Sequence, residues 1–422
     1  MTDAYPIRPV TEAEFPGFHA VDFEAFNSRW PEDQVREFEK VTFEFDRSLA
    51  AFDGSLIVGS ACAYTFQMSV PGTLAPVAGV SAVGVLPSYR RRGILTSLMH
   101  RQLADLSEGG EAVAALFASE PGIYGRFGYG VSSMHSRFSV RRGEGRMMIP
   151  AALEAAAEQG GLGPVRLRSV AAEPATAELA KVYEQAVPQR PGMLVRDDRW
   201  WQNVLADPDW YRGGNGPQRC IVAEDSSGPR GYAVYCVSPD WDTEGLPSGT
   251  LTVRELMALD PQASAALWAD LLTRDLVGEV TARLRPVDDP LLYLLADMRR
   301  ARARVSDGLW VRIIDIAAAL AQRHYAREVD VVIEVTDGLL PANAGRWHLQ
   351  AGAGGAGASC ERTSAPADVA LPVASLGAAY LGGTRLGTLA RAGLASELRP
   401  GTLAGLSTAM SWDPVPWSPM IF

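Results

Sequence analysis

The stretch VSAVGVLPSYRRRGILTSLMHRQL, residues 80–103, decides the reading of this 422-residue chain. The valine-rich run 77–85 predicts a strand. From Ile94 to Leu106, the residues Leu95, Leu98, Met99, Leu103 and Leu106 recur at three- and four-residue spacing, which predicts an amphipathic helix. Between strand and helix stand Arg90, Arg91, Arg92 and Gly93. The first backbone N–H groups of a helix lack partners and carry partial positive charge, so they form an anion site suited to a pyrophosphate. Gly93 lets the backbone approach an anion closely, and arginines add charge and paired donors. Three basic residues at the positive end of a helix dipole are unfavourable unless an anion sits there. Alone, the basic run fits a solvated loop equally well; the flanking strand and helix favour the anion site.

Working outward, Thr11–Asp22 and Trp30–Val41 read as helices. Asp53-Gly54 joins two strands, 48–52 and 55–66, as a hairpin. Ala112–Ala118 reads as a buried strand, followed by SEPGIYGRFGYG, residues 119–130. A glycine-rich, basic stretch near 141–164 marks a boundary. Beyond it the order of elements repeats: hairpin strands at 219–223 and 230–237, a strand at 250–258, a helix at 261–276 and a strand at 280–284. This predicts a structural duplicate of the first segment. A third segment differs in composition, with strands at 330–335 and 345–350 and a flexible glycine-alanine loop at 351–359. The domains expected are 1–145, 146–305 and 306–422.

Apolar residues make up 47% and charged residues 21%, a globular profile with enough chain for two or three cores. A net charge of −10 argues against a nucleic-acid binder and suits a cationic partner. Cys62, Cys220, Cys236 and Cys360 form no CxxC pair, and His19, His100, His135, His324 and His348 form no ligand pair. Neither a metal site nor a disulfide framework is expected. No signal-peptide core or membrane-length apolar run is visible, so a cytoplasmic protein without membrane partners is expected, with non-classical export left open.

The strand–arginine–glycine–helix unit resembles the cofactor motif of the GNAT superfamily of N-acetyltransferases, [Q/R]-x-x-G-x-[G/A]. Arg90, Arg91, Arg92 and Gly93 match its first four positions, and Val83, Val85 and Pro87 match the V-x-V-x-P before it. Leu95 departs from the sixth position, in a way shared with the enhanced intracellular survival (Eis) family. The resemblance implies an α/β (α+β) chain: two tandem GNAT-like domains followed by a sterol-carrier-protein-like domain. It implies acetyl-CoA as acyl donor, held by Val83, Gly84, Val85, Arg90, Arg91 and Arg92 with Gly93, Ile94, Leu95, Thr96, Ser119 and Glu120. It also implies a hexamer, and cationic acceptors such as aminoglycosides or lysine side chains.

The 119–130 loop is nearly identical to one in which that family places its general acid, which by position is Tyr124, with Tyr129 as rival. A phenol can protonate a departing thiolate. The terminus SWDPVPWSPMIF reads as rigid and docked rather than frayed. The resemblance makes the Phe422 carboxylate the general base, and the backbone N–H of Val85 a donor to the acetyl oxygen. Phe23, Phe26 and Trp30 are candidate acceptor contacts, because the first helices border the acceptor site in GNAT proteins. Trp200, Trp201 and Trp210 read as core or interface. The duplicate has Asp260-Pro261, an N-cap and first-turn pair, where the first domain has its arginines. A carboxylate there would repel pyrophosphate, so the second domain is expected to bind no CoA. The competing readings are a lipid or small-molecule carrier, or a hexameric binding protein, with a residual acetyltransferase site.

Overall fold

The computed structural model describes residues 5–151, 153 and 165–422; positions 152 and 154–164 of the boundary stretch lie outside the described residues. The chain forms two compact units. One comprises the residues up to Ser133 with Asp307–Pro416 and Ile421–Phe422; the other is Met134–Ser306 with Trp417–Met420.

In the first unit, a seven-stranded sheet runs in the order Ile7–Arg8, Ser48–Asp53, Leu56–Val70, Thr73–Val85, Val113–Phe117, Leu309–Ile313, Gly130–Val131. The expected hairpin forms, with Asp53 opposite Leu56. Two features of the strand Thr73–Val85 set the shape of the sheet around it. Ser60 lies opposite Gly84 while Cys62 lies opposite Ser81, so this strand holds one extra residue. Ala82 takes it up at a φ of 50°, a bulge that re-aims the chain. On its other side the strand pairs in parallel with Val113–Phe117 only through Ala78–Ala114 and Gly79–Ala115. Past those pairs the two strands no longer share a ladder, which leaves a wedge between them.

The helix Ile94–Glu108 covers one face of this sheet. It buries Leu98, which meets Leu49, Ala51 and Val58, and Met99, Leu103 and Leu106, which meet Ala63, Ala78, Val80 and Leu116. Each such leucine contributes about 1.5–3 kcal/mol on burial. Gln102 Nε2, also buried, donates to the carbonyl of Cys62 at 3.0 Å. The helix Phe15–Ala25 packs on the opposite face.

A five-stranded sheet completes this unit: Ala358–Arg362, Gly345–Ala351, Val329–Thr336, Val369–Pro372, Ser396–Glu397. The glycine-alanine segment read as a loop over 351–359 is partly ordered: it begins at the end of one strand and runs into the next. Fully buried Arg323 donates to the carbonyls of Tyr380 and Met410, the last residues of the helices Val373–Tyr380 and Thr402–Met410. A cation at helix C-termini is favourable.

The second unit has its own seven-stranded sheet: Arg304–Asp307, Met134–Arg141, Glu279–Arg285, Thr250–Ala258, Gly228–Ser238, Arg219–Asp225, Arg166–Val170. Chain order alone assigns Met134–Arg141 to the first domain and Leu309–Ile313 to the third. The structure pairs the former with Glu279–Arg285 and the latter with Val113–Phe117. A strand's apolar alternation records that it has a buried face, but not which neighbour it pairs with. Among the described residues no helix is long and apolar enough to cross a membrane.

Candidate active site

The arginine loop closes into the geometry that its sequence suggested. Arg91 and Gly93 both adopt left-handed backbone, at φ of 62° and 84°. Gly93 is the N-cap of Ile94–Glu108, and no side chain caps the helix. A Cβ on Gly93 would meet nothing within 4 Å, so glycine is needed there for its backbone angle and for open access to the N–H groups. An uncapped fifteen-residue helix facing open space fits an anionic group.

A cavity of about 700 Å³ opens over this helix start. Its wall includes Val83, Gly84 and Val85 from the bulged strand, Arg90, Arg91, Gly93, Ile94, Leu95 and Thr96 from the loop and helix, and Ser119, Glu120 and Tyr124 from the segment after Val113–Phe117. Arg92 is not part of that wall. Its guanidinium donates to the Tyr5 hydroxyl and the Ser88 carbonyl, both at 3.1 Å, and lies 4.7 Å from the Tyr89 ring centroid. The wall also holds residues that the sequence did not single out: Ala25, Asn27, Tyr89, Ile123 and Arg126. Arg126 could have been found, since it is the one basic side chain in the tyrosine loop. Three arginines and an uncapped helix against one carboxylate, Glu120, suit the phosphates of a nucleotide thioester.

The two tyrosines are distinguished by position. Tyr124 is largely buried and lines the cavity. Burial, and then the nearby Glu120 carboxylate, push its phenol up to about 12, so it stays protonated at neutral pH. Tyr129 lies behind it, 6.0 Å away between ring centroids, and is not in the cavity wall. Its hydroxyl is buried without a partner among the described residues.

Phe422 sits at the wedge rather than in that cavity. Its ring lies 5.0 Å from the Phe66 ring, on Leu56–Val70, and 5.9 Å from that of Phe117, at the end of a strand that flanks the opening. Gly79 makes room: a Cβ there would collide with the Phe66 ring and come within 3.0 Å of Phe422. The Ser81 hydroxyl donates to the Phe422 main-chain oxygen at 3.0 Å.

On the helix Phe15–Ala25, Phe26 just past the end is 45% exposed and lines the cavity. Phe23 and Trp30 do not line it; Phe23 contacts the His19 ring at 5.9 Å, and Arg29 lies over the Trp30 ring. Asp22 on the same helix has a buried, unpartnered Oδ1. Burial, reinforced by Glu39 and opposed by His19, pushes its carboxyl up to about 7.

The corresponding helix of the second unit, Pro261–Leu272, is closed to anions by its own cap. Asp260 Oδ1 accepts from the N–H groups of Gln262 and Ala263, both at 2.9 Å. Arg230 holds that carboxylate at 2.7 Å. Trp200 and Trp201 are buried in this unit, and Trp210 contacts Tyr211.

The family model described as an acetyltransferase (GNAT) domain matches residues 6–132, a second GNAT domain model matches 192–313, and a sterol carrier protein domain model matches 316–419. The chain is 38% identical over 347 residues to N-acetyltransferase Eis of Mycobacterium tuberculosis, covering 80% of this chain and 79% of that one.

The chain belongs to the Eis family of GNAT N-acetyltransferases.

An uncharacterised N-acetyltransferase of Streptomyces avermitilis is 42% identical over 396 residues, 94% of either chain. Eis1 of Mycobacterium abscessus superposes with a TM-score of 0.80 at 33% identity, over 99% of this chain and 100% of that one. The protein is therefore an acetyltransferase with two GNAT domains and a sterol-carrier-like domain. GNAT acetyltransferases use acetyl-CoA, and the uncapped helix start with its arginines is the part of this Eis-family chain that fits it.

Proposed function

We propose that the protein transfers the acetyl group of acetyl-CoA directly to an amine of a cationic acceptor, such as an aminoglycoside or a lysine side chain. Acetyl-CoA supplies an activated thioester. The side chains of Arg90 and Arg91 and the helix N–H groups hold its phosphates. The Phe422 carboxylate takes the proton of the attacking amine. The backbone N–H of Val85 donates to the acetyl oxygen as charge develops there. Tyr124 gives its phenolic proton to the departing thiolate. Protons and charge balance without a covalent intermediate on the enzyme.

The observation that carries this reading is the pairing of a protonated, cavity-lining Tyr124 with an uncapped, arginine-flanked helix start. The net charge of −10 supports a cationic acceptor. Four buried, unpaired cysteines support a reducing, cytoplasmic setting. Assembly as a hexamer belongs to the same reading through the family resemblance.

The test is thiol release from acetyl-CoA with aminoglycosides, polyamines and lysine peptides, comparing wild type, Tyr124→Phe and a chain lacking Phe422. Turnover by wild type, and its loss in both variants with CoA binding retained, supports the assignment. CoA binding with no acetylation across the panel counts against it.

A further inference from the structure

The wedge between Thr73–Val85 and Val113–Phe117 has its apex at the last pair the strands share, Gly79 and Ala115. Two residues out along the chain from each stand Ser81 and Phe117. Two further stand Val83 and Ser119, which already line the cavity over Gly93. Phe422 occupies the inner step. Its main-chain oxygen is held by the Ser81 hydroxyl, and its ring meets the Phe117 ring nearly edge-on, at 74°. The Phe66 ring tilts against it from the neighbouring strand.

The rings leave no slack at the apex. A single carbon added to Gly79 would collide with the Phe66 ring and come within 3.0 Å of the Phe422 ring. Phe66 is 3% exposed, on a strand paired along both edges, so it has nowhere to swing. Close-packed side chains resist insertion, because added methylenes force neighbours off their preferred rotamers. Phe117 differs from Phe66: it ends its strand and is only half-buried.

In the proposed reaction the acyl carbonyl lies between Tyr124, which protonates the sulfur, and Phe422, which takes the proton of the amine. Tyr124 lines the cavity and Phe422 sits inward of it. The sulfur is therefore on the cavity side, and the acyl tail is left to run inward, toward the rings.

We propose that Phe117, with Phe66 and the ring of Phe422, sets the length of the acyl group: an acetyl fits, and a longer chain meets the rings. The inference rests on the acyl-transfer reading and adds to it the residue that selects the donor. Phe422 then acts twice, its carboxylate as base and its ring as part of the stop.

Calorimetric titration of the full chain with CoA, acetyl-CoA and butyryl-CoA, in the absence of any acceptor, tests this. Wild type is expected to bind acetyl-CoA at least about tenfold more tightly than butyryl-CoA. Phe117→Ala opens the inner step and is expected to remove that difference while leaving the Kd of free CoA unchanged. A merely structural loss would weaken all three alike. If the melting temperature of Phe117→Ala reveals a lost fold, Phe117→Val, a smaller cut, decides instead. No uptake of CoA by wild type sinks the acyl-transfer reading and this inference together. Uptake of CoA with equal affinity for the two acyl forms, or a preference for acetyl-CoA unchanged in the folded variant, overturns this inference alone.

Discussion

The Ser81 hydroxyl donates a 3.0 Å hydrogen bond to the main-chain oxygen of Phe422, 341 residues further along the chain. Ser81 precedes Ala82, the bulge residue of the strand Thr73–Val85. A donor on a carboxylate favours its charged form. Ser81→Ala removes a bond to a charged acceptor worth about 1.5–3 kcal/mol, so the charged form of the carboxylate is less favoured. The acid limb of kcat/KM then moves to higher pH. It should be measured with a weakly basic acceptor amine, so that only enzyme groups titrate. A limb that stays in place argues against this carboxylate as base.

Tyr124, pushed up to about 12 by burial and Glu120, must lose no proton across the working range. Wild-type kcat is expected to show no alkaline fall below about pH 10. Tyr124→Phe is expected to lower kcat by about 10²–10⁴ with little change in the KM for acetyl-CoA. Glu120→Gln removes the second cause of the shift and brings the phenol nearer its ordinary range.

The arginines should divide. Arg91 lines the cavity and Arg92 instead bridges Tyr5 and Ser88. Arg91→Ala is expected to raise the KM for acetyl-CoA about tenfold, a lost charge-assisted contact. Arg92→Ala is expected to change it less than about twofold, since an exposed side chain held by surface contacts contributes little. Steady-state kinetics in acetyl-CoA separates the two.

Asp22 makes stability depend on pH. Its folded pKa of about 7 lies above its ordinary value of 3.8. The folded state therefore binds this proton more tightly than the unfolded state. Its contribution is complete below about pH 4 and is lost as pH rises through about 7. At about 1.36 kcal/mol per unit, the loss by pH 8 is a few kcal/mol. His19 and Glu39 face Asp22 from the helices, and Cys62 and Tyr64 from the strand Leu56–Val70. Asp22→Asn is expected to stabilise the protein at pH 8 and to change little at pH 4, as read by urea unfolding at both. Equal effects at the two values would show that the carboxyl is not the titrating group.

One CoA should bind per chain. Asp260 fills the second helix start with its own carboxylate and is held by Arg230. Asp260→Asn keeps the cap, and equilibrium dialysis should still give one CoA per chain. A second equivalent in wild type would contradict the reading of that domain.

The local pieces were legible from the chain because they rest on short-range physics. The helix from Ile94 follows from apolar spacing, the hairpin at Asp53-Gly54 from turn chemistry, and the blocked second helix from an Asp-Pro cap. The uncapped helix start at Gly93 follows from the same local rules, and the resemblance in residues 80–103 and 119–130 named acetyl-CoA as the cofactor to expect there. Tertiary structure decided what depends on distant neighbours. It placed Met134–Arg141 in the second unit's sheet and Leu309–Ile313 in the first unit's seven-stranded sheet, because alternation does not encode a partner. It turned Arg92 away from the cavity that Arg90 and Arg91 line, since three adjacent arginines look alike until the backbone angles at Arg91 and Gly93 separate them. It buried Asp22, set Tyr124 in front of Tyr129, and brought Ser81 to Phe422. Burial and long-range contact alter a side chain's charge and reach, and neither is written in the residues beside it.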